Sequence, residues 1–107
     1  MLRIYQVSLD VVRNLQPLLR EISRHDRSLA DQLIRSAQSV TLQIAEGSHA
    51  RGRLRAARYQ GALAEMHEAL ACLDLAEARG ILPRVDPALR DRMRYVTNVL
   101  RKLVILK

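Results

Sequence analysis

The sequence predicts an all-α protein, an antiparallel up-and-down four-helix bundle. Apolar residues recur at alternating steps of three and four along four separate segments. Four Gly and three Pro leave room for few turns, while Ala, Leu and Arg fill long stretches. With no Trp, no Phe and three Tyr, the core must be aliphatic. A chain of 107 residues has the usual size of one domain. At 49% hydrophobic and 27% charged residues it is globular rather than disordered. No linker or low-complexity tract divides it, so residues 1–107 read as one bundle domain.

The first helix, 4–23, carries Ile4, Val7, Val11, Leu15, Leu18 and Ile22 on one stripe. Pro17 lies inside it, and proline removes a helical N–H and crowds the preceding turn, so a kink or restart is expected there. The second helix, 28–46, carries Leu29, Leu33, Ala37, Val40 and Ile44. Ser28 is its expected N-cap, with Asp31 three residues on, and Gly47 its expected C-cap. The third, 52–79, carries Tyr59, Leu63, Met66, Leu70 and Leu73, and Gly80 ends it. Two alanine rows flank this stripe: Ala57, Ala64, Ala71 and Ala78, and Ala62, Ala69 and Ala76. Alanine is the best helix former, but such rows also let helices approach closely, within the bundle or between subunits. The fourth helix, 87–105, opens at Asp86-Pro87, a capping residue followed by proline at the first helical position. It carries Leu89, Met93, Val96, Leu100 and Leu103.

Charge supplies the functional signal. Eighteen Lys plus Arg against eleven Asp plus Glu give a net charge of +7. Such an excess favours polyanions, nucleic acid before an anionic membrane. Sixteen of the eighteen cations are Arg, which suits bidentate phosphate contacts. Four of them, Arg51, Arg53, Arg55 and Arg58, fall within eight residues at the turn from the second helix into the third. Helix N-termini usually carry acids, because their free N–H groups and dipole are positive. Arginines there cost stability unless an anion is near. In an up-and-down bundle this turn shares an end with Arg3 and with Arg101, Lys102 and Lys107, which extend the cluster. Three Tyr offer little stacking for single strands, and no base-reading motif stands out. The expected mode is salt-dependent backbone contact.

Catalytic chemistry is not expected. His25, His49 and His67 lie in different places. Glu65 and Glu68 have ligand spacing, but no Glu-x-x-His exists and the fourth helix has no Glu, so a di-iron bundle is not built. Cys72 is alone, in an apolar setting that marks it as a core residue. There is no Gly-rich phosphate loop or nucleophile elbow. No cofactor or metal is expected. The N-terminus lacks a signal-peptide layout and no apolar run reaches the ~20 residues of a membrane span, so no membrane partner and a cytoplasmic location are expected.

The stretch RSAQSVTLQIAEGS, residues 35–48, resembles a bacterial family called the four helix bundle proteins, whose founding members are encoded in intervening sequences of large-subunit ribosomal RNA genes. The family's helix ends in Asn-Ile-Ala-Glu-Gly; here Gln43, Ile44, Ala45, Glu46 and Gly47 stand there, and Arg51 matches an arginine that follows. A later Ala-x-Gly-Ser-x-x-Glu pattern reads Ala62-Leu63-Ala64-Glu65-Met66-His67-Glu68, with the Gly and Ser replaced. The resemblance spans roughly 4–105. It implies a left-handed bundle assembled as a homopentameric ring, similar to accessory proteins of diversity-generating retroelements, which bind nucleic acid and a reverse transcriptase. Two functions are therefore expected in turn. The first is a non-enzymatic, oligomeric protein binding RNA or DNA through Arg51, Arg53, Arg55, Arg58, Arg101 and Lys102. The second is a protein-interaction adaptor, such as an accessory protein to a reverse transcriptase.

Overall fold

Four helices follow one another: α1 (Arg3–His25), α2 (Arg27–Ser48), α3 (Gly52–Ala78) and α4 (Pro87–Ile105). The structure is a computed structural model and describes residues 2–105. Each helix packs on its chain neighbours, and α1 closes the bundle against α4. The molecule measures 42 × 24 × 21 Å. One end gathers the start of α1, the end of α2, the start of α3 and the end of α4; the other gathers the remaining four termini.

The apolar stripes explain the packing. Ile4, Val11, Leu15 and Ile22 of α1 and Leu29, Leu33, Ala37, Val40 and Ile44 of α2 are buried. From α4 come Leu89, Met93, Val96 and Leu100. The expected stripe of α3 is partly replaced. Tyr59, Met66 and Leu73 are buried, but Leu63 and Leu70 lie at the margin of the core, and Ala62, Ala69, Ala76 and Cys72 take inner positions. The first three have no exposed surface. Small residues inward let α3 approach its neighbours closely. The other alanine row, Ala57, Ala64, Ala71 and Ala78, faces solvent. Val7, Leu18 and Leu103 are likewise marginal rather than central.

Two expectations about helix boundaries, the caps at Ser28 and Gly47, are corrected, and of the kink or restart expected at Pro17 the restart does not occur. Asp26, not Ser28, caps α2: its backbone is extended (φ −155°, ψ 94°) and its Oδ1 accepts from the Leu29 N–H at 3.0 Å. The single residue between α1 and α2 thus provides the cap, leaving Ser28 in the first turn. Pro17 does not restart the chain, since α1 runs unbroken through it. Buried Leu15 and Ile22 on either side anchor both halves to one core, and that packing outweighs the missing hydrogen bond. Gly47 is not a C-cap; it lies inside α2, which runs to Ser48. The expectation for Gly80 matches the structure: it follows the C-cap Arg79 with φ +73°. The Ile81 N–H reaches Ala76 O at 2.9 Å and the Gly80 N–H reaches Glu77 O at 3.0 Å, the paired bonds of a Schellman stop. Asp86 caps α4, its Oδ1 accepting from the Ala88 N–H at 2.9 Å.

Polar groups within the bundle are matched. The Thr41 hydroxyl donates to Ser8 Oγ at 3.1 Å, and Ser8 donates to Tyr5 O at 2.7 Å. Ser36 donates to Glu68 at 2.6 Å across α2 and α3. Among the described residues no buried side-chain nitrogen or oxygen lacks a partner.

Candidate nucleic-acid interface

The turn between α2 and α3 is built by two glycines with different tasks. A Cβ on Gly47 would lie 2.6 Å from Cε1 of Tyr59, so only glycine lets the Tyr59 ring lie against α2. Gly52 has φ +56° and open space around it, so there it is the left-handed backbone that asks for glycine. Between them, Ser48 donates to Ala45 O at 2.7 Å, and His49 and Ala50 close the last turn onto Glu46 O and Gly47 O at 3.2 Å each.

The arginines divide by role. Arg55 reaches back: its Nε donates to Ala50 O at 2.9 Å and to Gly47 O at 3.2 Å. Gly47 O lies in the last turn of α2, the negative end of a helix dipole, where a cation is favoured, and Ala50 O lies in the turn just beyond it. Arg55 therefore fastens the turn, and the expected cost of arginines at the start of α3 is offset at this position. Arg51 is the N-cap residue of α3, with no side-chain hydrogen bond to the helix. Arg51 and Arg53 are exposed and Arg58 is half-buried.

The same end brings in the other predicted cations. Leu2, Ser48, Arg51, Gly52, Arg55, Tyr59 and Leu103 line one cavity of about 610 Å³, so the start of α1 and the end of α4 meet the turn. Arg101 and Lys102, both exposed, immediately precede Leu103 on α4. Arg3 sits over the Tyr95 ring, 5.8 Å from its centroid, tying α1 to α4. Lys107 lies outside the described residues.

Charge is sorted along the long axis. Ion pairs join Arg13 to Asp10, Arg24 and His25 to Glu21, Arg79 to Asp26, Arg90 to Asp74 and Glu77, and Arg94 to Asp91. All lie at mid-length or at the opposite end. Among the described residues, none involves Arg3, Arg51, Arg53, Arg55, Arg58, Arg101 or Lys102. The acid closest to this turn in sequence, Glu46, is exposed. Capping follows the same division. The helices that start at the opposite end, α2 and α4, are capped by Asp26 and Asp86. Those that start at the basic end, α1 and α3, have no side-chain cap. Two positive dipole ends and seven cations that form no ion pair among the described residues thus lie toward one end of the molecule, Arg3 leaning from it to Tyr95.

At the opposite end acids engage Arg24, Arg79 and Arg90, while Arg20, Arg27 and Arg84 make no ion pair among the described residues. Arg79, 2.6 Å from Asp26, holds that carboxyl below its usual range, helped by the Leu29 N–H. The Val85 N–H, donated to Glu77 at 2.6 Å, lowers the Glu77 carboxyl, and Arg90 adds to this. Burial pushes the Cys72 thiol up, as suits an inert core residue. Among the described residues no group of three or more His, Cys, Asp or Glu could hold a metal ion. No helix among them is long and apolar enough to cross a membrane. Glu68 is engaged with Ser36 and His67 is exposed.

The family model described as 23S rRNA-intervening sequence protein matches residues 1–102. Among solved structures, a protein of unknown function from the S23 ribosomal protein family of Bacteroides thetaiotaomicron VPI-5482 superposes with a TM-score of 0.85. It is 18% identical, and the match covers 94% of this chain and 97% of that one, a likeness of fold. No curated protein matches the chain.

Proposed function

Because the chain belongs to the 23S rRNA-intervening sequence protein family, we propose that its unpaired basic end is a phosphate-binding surface of a non-enzymatic nucleic-acid-binding protein. The observation that carries this reading is the charge sorting. A folded protein with eleven acids could neutralise its arginines anywhere, yet here the ion pairs lie away from the α2–α3 turn. Unpaired Arg51, Arg53, Arg58, Arg101 and Lys102 on one end, beside two uncapped helix N-termini, form a surface that polyanion phosphates would satisfy. Contacts of this kind position a backbone and carry no sequence information. The protein acts in the cytoplasm, where RNA and DNA are both accessible.

The exposed row Leu54, Ala57, Ala64, Ala71, Leu75 and Ala78 on α3 supports self-association, for which the family resemblance implies a pentamer. A ring would repeat the basic end several times, and avidity would then multiply weak single contacts. The same row favours the adaptor reading if its occupant is another protein, such as a reverse transcriptase.

The test is a salt titration of RNA and DNA binding, comparing wild type with Arg51→Ala, Arg53→Ala and Arg58→Ala combined. Arg55 is spared because it fastens the turn. The slope of log affinity against log salt should flatten by about 0.9 for each duplex phosphate that the variant no longer neutralises, or about 0.7 for a single strand. An unchanged slope would remove the turn from the interface.

A further inference from the structure

The cavity at the basic end carries more information than a charged surface does. Its volume of about 610 Å³ lies within the roughly 300–1,000 Å³ of small-molecule sites and exceeds what one inorganic phosphate fills. Its lining is two-sided. Ser48, Arg51 and Arg55 make one side polar and cationic, while Leu2 and Leu103 make the other apolar. Tyr59 joins them. Only 3% of it is exposed, and its hydroxyl makes no hydrogen bond to another described residue. A phenol buried this deeply normally finds a partner. Tyr59 lines the cavity together with Arg51, Arg55 and Ser48, whose hydroxyl is given to Ala45 O. Arg55 is pre-set as well: its Nε is held by Gly47 O and Ala50 O, which fixes the guanidinium plane before any ligand arrives.

From this lining we infer that the cavity holds one nucleotide unit, its phosphate on Arg51, Arg55 and the Tyr59 hydroxyl, its base against Leu2 and Leu103. The inference rests on the nucleic-acid reading and narrows it. A base inside a duplex cannot enter such a cavity, so the occupant is an unpaired nucleotide or strand end. The basic surface then tracks the backbone on either side.

Fluorescence anisotropy tests this with a short single-stranded RNA bearing a 5′-phosphate and with a blunt duplex of the same sequence. Tyr59→Phe keeps the ring against Gly47 and removes one donor. It should weaken the single strand about tenfold, the size expected for a missing bond to a charged group, and leave the duplex unchanged. Leu103→Trp, which fills the apolar side, should act in the same direction. Free uridine monophosphate should displace the single strand at lower concentration than inorganic phosphate does. Equal displacement by the two would overturn a nucleotide site. So would equal affinities of both variants and wild type for the single strand, while salt-sensitive duplex binding would leave the backbone reading standing. Failure of the wild type to bind either nucleic acid would overturn both.

Discussion

Tyr59 and Gly47 show how a single position ties the family-like motif to the site. The glycine is fixed by the ring that lies on it, at a distance a methyl group cannot share. Gly47→Ala would gain about 1 kcal/mol in helix propensity. It would also force the ring or the helix aside, an overpacking cost of about 1–3 kcal/mol. We expect a net loss, read as a lower midpoint in thermal unfolding; a rise would mean the Tyr59 ring moves freely. Asp26 acts in a different way, through its charge. Its carboxyl pairs with Arg79 and accepts from the Leu29 N–H, both of which lower its pKa. A depressed carboxylate stabilises the fold above its ordinary pKa, and the contribution is lost as pH falls through the folded value. Glu77, lowered chiefly by the Val85 N–H, adds to the same limb. Stability should therefore fall as pH drops below about 4, and Asp26→Asn should flatten that fall in urea unfolding at a series of pH values.

At the level of the helix, propensity and packing compete most openly in α1. Pro17 lacks the N–H that would bond back to Arg13 and crowds that turn, a local cost of about 3 kcal/mol in a helix interior. The helix nevertheless continues, because Ile4, Val11, Leu15 and Ile22 all need the same core. Pro17 is exposed, so Pro17→Ala removes the cost without touching the core. It should raise the unfolding free energy by about 1–3 kcal/mol in denaturant titration. In α3 the apolar residues exceed what one face can bury. Ala62, Ala69 and Ala76 go inward, and Leu54, Leu75 and the second alanine row stay in solvent. If that row is an interface, Ala64→Glu with Ala71→Arg should reduce the mass seen by light scattering while leaving helicity intact. A wild-type monomer would count against self-association altogether.

Across the whole molecule, the two ends differ in how they treat charge. At one, Asp26, Asp86, Asp74 and Glu77 cap helices and hold Arg79 and Arg90. At the other, helices start without side-chain caps and, among the described residues, the arginines form no ion pairs. This polarity along 42 Å gives the protein a distinct basic pole. Anion binding there should stabilise the fold by mass action. Added RNA is expected to raise the thermal midpoint at low salt, and the rise should vanish at high salt as counterions compete.

The four-helix class, the stop at Gly80 and the cap at Asp86 could be read from the sequence because periodicity and local backbone chemistry set them. A three-and-four repeat, a left-handed glycine and an Asp-Pro pair act over a single turn. The clustering of Arg51, Arg53, Arg55 and Arg58 was equally visible as a run of residues. Only the tertiary structure decided which arginine is already engaged, because the carbonyls holding Arg55 become its neighbours when α2 ends beside α3. It also decided which alanine row faces inward, and that Gly47 makes room for Tyr59 rather than ending a helix. The cavity uniting Leu2, Arg51, Tyr59 and Leu103 has the same origin. Contacts between distant segments arise from the closing of the bundle, and a local repeat does not encode them.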